Sequence, residues 1–200
     1  ALITARNFAM GFNRFKDRDI DAQNLRTNSR PSVDGRIKLS ALIAFNIINA
    51  LLFVAVSYLI NTLAFYLSVP FLAILAFYSY TKRFSAVAHW VLGVCLGLAP
   101  IAGVIAVMGE VPLWSVLLSL GVLFWVAGFD LLYSIQDMDF DKAKNLHSIP
   151  AYFGLRATLW ISRLCHIVAV LFWSCFVYEA HLGVVAWIGV GLGALMLSYE

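Results

Sequence analysis

Charge is what this sequence has least of. Asp, Glu, Lys and Arg make up 12% of its 200 residues, against 62% hydrophobic, whereas a soluble domain carries about 25% charged residues. Such a chain cannot cover itself with water-facing side chains, and separate soluble domains have no room in it. There is no Lys/Arg tract, which excludes nucleic acid as the partner on charge grounds. The three cysteines, Cys95, Cys165 and Cys175, lie in apolar stretches without CxxC spacing, so they read as packing residues. No charged n-region with a cleavage site opens the chain, which argues against a signal peptide. No repeat of fixed period is present. No strand precedes the glycine cluster Gly189, Gly191 and Gly193, so a nucleotide-binding loop is excluded there. Close helix packing is expected for that cluster and for Gly93 and Gly97.

What the sequence has instead is apolar windows of about 20 residues, the length that crosses a bilayer. They predict helices at 38–60, 63–81, 86–108, 112–136, 157–178 and 183–199, after a helical stretch at 1–23 and a polar loop at 24–37. Tight connections are expected at 61–62 and 109–111 and a longer charged one at 137–156. The chain reads as one polytopic transmembrane helical bundle, all-α, forming a single domain over 1–200 in a lipid bilayer. Helix ends alternate between two faces. One face receives Arg14, Lys16, Arg18, Arg26, Arg30, Arg36, Lys38, Lys82, Arg83, Lys142, Lys144 and Arg156, and the other receives only Glu110, Glu179 and His181 as ionisable groups. The positive-inside rule puts the basic face in the cytoplasm. Ala1 opens inside an apolar stretch, and residues 1–12 are too few to span a bilayer. The expectation is a piece lacking an N-terminal helix and part of the next, with room for further helices after Glu200, where an apolar run ends abruptly.

Two acidic segments lie at cytoplasmic helix ends. In the first, Asn13, Asp17 and Asp21 are spaced by four, with Asp19 between. Four residues advance a helix direction by about 40°, so three oxygens form a slowly turning line on one face. The second holds Asp130, Tyr133, Gln136, Asp137, Asp139 and Asp141, again with spacing four between Asp137 and Asp141. Clustered carboxylates repel and need cations to stay ionised together. Mg²⁺ takes oxygen ligands, commonly one or two carboxylates plus substrate phosphates and waters. Two such clusters facing each other would hold a diphosphate through bridging Mg²⁺, with Arg26, Arg30, Lys82 and Tyr78 as candidates to meet its oxygens.

Some polar residues lie in apolar sequence, where an ionisable group is costly and a candidate for function. Arg6 is seven residues before Asn13, within about 20° of its direction, which places a cation deeper than the carboxylates. Asp130 lies two turns deeper than Asp137. Arg163 has no evident partner. His89 and His166 read as packed or capping residues, and His147 as a loop residue. A proton-coupled transporter is the competing class, but its polar residues would gather near the midplane rather than at one membrane face. A structural or assembly role leaves the paired Asp spacing unexplained.

These motifs resemble the UbiA family of intramembrane prenyltransferases. NRFKDRDID at 13–21 matches that family's Asn-x3-Asp-x3-Asp motif, DMDFD at 137–141 its Asp-x3-Asp motif, and YSYTK at 78–82 its Tyr-x3-Lys element. RTNSRP at 26–31 and the run from Asp130 to Gly154 are similar as well. Within the family the chain looks most like 4-hydroxybenzoate polyprenyltransferases and their menaquinone-pathway relatives. The resemblance implies about nine helices around a central cavity in the whole protein, and a metal and diphosphate site at Asn13, Asp17, Asp21, Asp137 and Asp141. It implies diphosphate contacts from Arg30 and Lys82, and an aromatic acid's carboxylate held by Arg6. It further implies Mg²⁺ as cofactor, a polyprenyl diphosphate and an aromatic acid as substrates, and a bacterial inner membrane with the site facing the cytoplasm. Both 4-hydroxybenzoate and a dihydroxynaphthoate satisfy Arg6 as acceptors. Tyr133 or Phe129 would steady the allylic cation, and Asp130 or a retained diphosphate oxygen would take the ring proton.

Overall fold

A computed structural model describes residues 1–199, and among those residues helices are the only regular elements, joined by turns and loops. The elements are α1 (Leu2–Lys16), α2 (Arg18–Asp21), α3 (Leu39–Ile60), α4 (Thr62–Thr81), α5 (Ala88–Met108), α6 (Leu113–Ser134), α7 (Met138–Ala143), α8 (Ile149–Glu179) and α9 (Val184–Ser198), with a 3₁₀ turn at Ile135–Asp137 between α6 and α7. Five stretches are long and apolar enough to cross a membrane: Leu39–Ile60, Thr62–Thr81, Ala88–Met108, Leu113–Ala143 and Ile149–Glu179. The chain is an integral membrane protein. Among the buried side chains, serine, threonine, asparagine, histidine and aspartate outnumber aliphatic and aromatic ones, while Ile47, Leu51, Leu59, Val69, Leu164, Leu171 and Val185 are exposed. Lipid is as apolar as leucine, so apolar side chains gain little by turning inward, and small or hydrogen-bonded residues fill helix contacts instead.

The chain divides into two compact units, Ala1–Thr81 and Lys82–Glu200. In the first, α1 packs on α3 and α4. The buried residues of α3 are Leu42, Asn46, Asn49, Phe53 and Ser57, a stripe with helical spacing. Asn46 and Asn49 donate back to the carbonyls of Leu42 and Phe45 at 3.0 and 2.8 Å. Asn7 of α1 donates to Asn49 Oδ1 at 3.2 Å, tying the helices together. Gly11 makes room for this: a Cβ there would collide with the Asn46 side chain.

In the second unit α6 packs against α5 and α8. Cβ atoms on Gly93 and Gly97 would strike the backbone carbonyls of Leu123 and Ser119, so the expected close packing holds for this pair. It fails for Gly189, Gly191 and Gly193. A Cβ at any of these would meet nothing within 4 Å, so among the described residues the cluster packs no helix. Across α6 and α8, Ser162 Oγ donates to the Gly128 carbonyl at 2.9 Å.

Several boundaries depart from the sequence reading. The stretch expected as one helix at 1–23 breaks at Asp17, whose φ of −90° and ψ of 8° separate α1 from α2. The connection expected at 137–156 holds α7 and the start of α8. That helix begins at Ile149, not 157, because Ser148 caps it by accepting from the Ala151 N–H at 3.4 Å and a proline sits in its first turn. Gly154, at φ 76° and ψ 176°, then kinks it. The last expected span, 183–199, is the 15-residue α9, roughly 22 Å long and short of the ~30 Å hydrocarbon core.

Candidate functional site

The first acidic segment sits where α1 ends. Asn13 Nδ2 donates to Asp17 Oδ2 at 2.8 Å. Asp21, four residues on, is 6% exposed. A buried carboxylate needs a partner, and the loop after α2 supplies one. Thr27 Oγ1 donates to the Asp21 carbonyl at 3.1 Å, and the chain then turns back so that Arg30 Nη1 reaches both Asp21 oxygens at 2.6 Å. Arg14 Nη1 stands 3.8 Å from the same carboxylate. The loop is braced further along by Arg36, which bonds Asp34 Oδ2 and the Ser29 carbonyl, each at 2.7 Å. Arg26 is exposed beside this turn, its N–H on Asn24 Oδ1 at 2.9 Å. Near the end of α4, Lys16 lies over the Tyr80 ring, 4.4 Å from its centroid. Tyr78 is half-buried, its carbonyl accepting from Thr81 Oγ1 at 2.6 Å. Arg6 is exposed on α1, seven residues before Asn13.

The second acidic segment sits where α6 passes through the 3₁₀ turn into α7. Asp137 is 8% exposed and Asp141 fully buried, while Asp139 is exposed. Lys82 Nζ lies 2.8 Å from Asp141 Oδ1, and Asp141 Oδ2 has no hydrogen-bond donor. Two backbone bonds fix the corner: the Leu146 N–H on the Asp141 carbonyl at 2.9 Å and the His147 N–H on the Lys82 carbonyl at 3.0 Å. His147 also meets the Tyr152 hydroxyl. Phe129 and Tyr133 are exposed, four residues apart on α6.

Asp130 is not isolated in apolar sequence. Its Oδ2 lies 2.7 Å from His89 Nδ1, and His89 is almost wholly buried. The sequence reading of His89 as a packed or capping residue therefore missed its partner. The two are 41 residues apart and share no local spacing, so only the folded register of α5 and α6 reveals the pair. Arg163 likewise has a neighbour, lying over the Trp160 ring at 5.4 Å.

The structure thus brings Asn13 to Asp17, Arg30 to Asp21, and Lys82 to Asp141. Among the described residues no group of three His, Cys, Asp or Glu side chains converges as a metal cage. A buried carboxylate oxygen without a donor, as on Asp141, is nevertheless an acceptor that suits a hard cation. The donor set is all oxygen, and one or two carboxylates suffice for Mg²⁺ when phosphates and waters complete its shell. The residues fit a metal that arrives with a phosphorylated substrate better than a resident structural ion.

Residues 1–200 match the UbiA prenyltransferase family. A 4-hydroxybenzoate octaprenyltransferase of Albidiferax ferrireducens is 32% identical over 172 residues, covering 86% of this chain and 58% of the relative. Its counterpart in Dechloromonas aromatica is 30% identical over 197 residues, covering 98% and 66%. The chain therefore spans about three fifths to two thirds of these relatives' length. An apo UbiA homologue from Aeropyrum pernix superposes with a TM-score of 0.91 at 35% identity, over 98% of this chain and 74% of that one. A UbiA homologue from Archaeoglobus fulgidus bound to DMAPP and Mg²⁺ shares the fold, with a TM-score of 0.72 at 23% identity, over 96% and 68%.

Proposed function

The chain belongs to the UbiA prenyltransferase family, and from that premise we propose that it transfers a polyprenyl group from a polyprenyl diphosphate to an aromatic acid of the 4-hydroxybenzoate type in quinone biosynthesis. The reading is carried by one observation: the buried carboxylates Asp21 and Asp141, in separate parts of the chain, each hold a cationic side chain. Arg30 and Lys82 are cations able to leave a carboxylate for a phosphate oxygen, and the carboxylates they leave would then be open to a metal. The relatives' activity on 4-hydroxybenzoate supports the choice of acceptor.

In this reading Asn13, Asp17 and Asp21, with Asp137 and Asp141, would hold Mg²⁺, which would supply positive charge against the departing diphosphate. Arg26, Arg30, Tyr78 and Lys82 bind the remaining diphosphate oxygens, Arg as a planar fork and Lys as a point charge. The allylic C–O bond breaks with its electron pair leaving on the diphosphate. Phe129 and Tyr133 offer ring faces to the resulting cation, and the apolar helices keep out the water that would quench it. Arg6 holds the acceptor's carboxylate through paired N–H donors. The ring carbon ortho to the phenol attacks, and loss of the ring proton restores aromaticity. A polyprenyl tail belongs in lipid and its diphosphate in water, which suits a site at the basic face. The basic side chains gathered at one set of helix ends support a cytoplasmic position for that face, and bacterial relatives favour the inner membrane.

The deciding assay offers the protein in membranes one labelled polyprenyl diphosphate with 4-hydroxybenzoate, a dihydroxynaphthoate and other aromatic acids, and reads products by mass. Prenylated 4-hydroxybenzoate is the expected product. Its absence with every acid would end the reading, and product from the naphthoate alone would move the enzyme to the menaquinone pathway.

A further inference from the structure

The family's acidic motifs leave His89 without a task, yet it is one of the few buried ionisable side chains of the second unit. It is the second residue of α5 and 4% exposed, and its Nδ1 lies 2.7 Å from Asp130 Oδ2 on α6. Its other nitrogen, Nε2, is buried without a hydrogen-bond partner. That asymmetry fixes the roles. An imidazole protonated at Nδ1 donates to the carboxylate and leaves a bare lone pair at Nε2. A proton at Nε2 would be a buried N–H without an acceptor, the costlier arrangement. Asp130 is the outer member of the pair, its side chain 25% exposed against 5% for His89. Of the two, Asp130 is thus the one open to its surroundings, and His89 holds it from the buried side.

The backbone makes the arrangement rigid. One turn beyond His89, Gly93 brings α5 against the Leu123 carbonyl of α6, and Gly97 meets Ser119 one turn further. Leu123 is two turns before Asp130. The separation of the two side chains is thus set by helices in backbone contact. His89 also stands in the first turn of α5, the end of a helix that favours a negative charge beside it.

We propose that His89 is a positioning residue that holds Asp130 aimed as the acceptor of the ring proton; this rests on the prenyl-transfer reading above. Once the ring carbon has bonded to the allylic carbon, its C–H bond breaks. The electron pair returns to the ring and the proton goes to the Asp130 carboxylate, which yields it to water as product leaves. The pairing assigns this step to Asp130 rather than to an oxygen of the departed diphosphate.

The test is a double-mutant cycle in the full-length enzyme in nanodiscs, using His89→Leu, His89→Gln, Asp130→Asn and His89→Leu/Asp130→Asn. His89→Leu should lower kcat about tenfold or more, the scale of a mispositioned general base, with KM for the prenyl donor unchanged. His89→Gln, whose amide N–H can still donate, should recover most of that loss. The double variant should be no slower than Asp130→Asn alone. In ¹⁵N-histidine spectra the resonance missing from His89→Gln should report a proton on Nδ1 and should move in Asp130→Asn. Multiplying losses in the cycle, no recovery by glutamine, or a proton on Nε2 would each overturn the proposal. If the unsubstituted enzyme prenylates no acid, the functional reading fails and takes this step with it; if it prenylates and the losses multiply, only the role of His89 fails.

Discussion

Asp141 shows what a buried carboxylate demands of its surroundings. It is fully buried, and Lys82 is paired with it, 2.8 Å away and a third exposed. Removing one member of a buried pair strands the other charge and costs about 3–5 kcal/mol, whereas replacing both by neutral groups is often close to neutral. Partial exposure of Lys82 lowers that figure by solvent screening. Lys82→Met should therefore lower the melting temperature of the ligand-free protein in detergent, and Lys82→Met/Asp141→Asn should restore most of it. A double variant that melts lower still would show that the pair is not the source of the effect. Arg6 is the opposite case, exposed on α1 and so carrying little structure. Arg6→Ala should leave folding intact and raise KM for the aromatic acid at least tenfold, the loss of about 1.4 kcal/mol in binding, with KM for the prenyl donor barely changed. Equal rises for both substrates would count against the carboxylate role.

At the scale of elements, contact between helix backbones does what a large apolar core does in water. Leucine at Gly93 would place its side chain against the Leu123 carbonyl of α6, and over-packing of this kind costs about 1–3 kcal/mol. Gly93→Leu should destabilise the protein in thermal denaturation, while leucine at Gly191, where nothing lies within 4 Å, should not. The loop after α2 is held differently. The Arg36 N–H and guanidinium on Asp34 keep that carboxyl below the ordinary aspartate value, against a smaller opposing effect of desolvation. A depressed value means order that is complete above the unfolded carboxyl's pKa and lost as pH falls through the lower folded value. Amide exchange at 29–37 should thus be insensitive to pH near neutrality, once corrected for intrinsic rates, and lose protection only in acid below the ordinary aspartate range. These elements also mark the limits of legibility. Periodicity and length located α3 to α6, because twenty apolar residues in a row have few other solutions. The spacing of four exposed the acidic motifs, because it is local. The start of α8 was readable in Ser148 and Pro150, but the charged residues before it made a loop the simpler reading. The idle glycines of α9 and the His89–Asp130 pair were not readable, because each depends on which helix lies alongside.

On the scale of the whole molecule the question is how charge is balanced before and after substrate arrives. Without substrate, Asp21 has Arg30 and Asp141 has Lys82. In the proposed reaction a diphosphate would bring further negative charge, and Arg30 and Lys82 could not serve carboxylates and phosphates at once. On the prenyl-transfer reading, a divalent metal held by these carboxylates would supply the missing positive charge and would leave Arg30 and Lys82 free for phosphate oxygens. EDTA should therefore abolish both turnover and prenyl diphosphate binding, and Mg²⁺ should restore both. Binding that survives EDTA would mean that the basic side chains suffice and that the acidic motifs serve another end. The sharper form of the test uses one acid from each compact unit. Asp17 lies in Ala1–Thr81 and Asp137 in Lys82–Glu200. If both units serve a single reaction, Asp17→Ala and Asp137→Ala should each reduce Mg²⁺-dependent turnover by about a hundredfold or more, the scale of losing a preorganised charge contact in the transition state. Near-normal turnover in one variant would confine the metal to the other unit, and near-normal turnover in both would remove the metal assignment altogether.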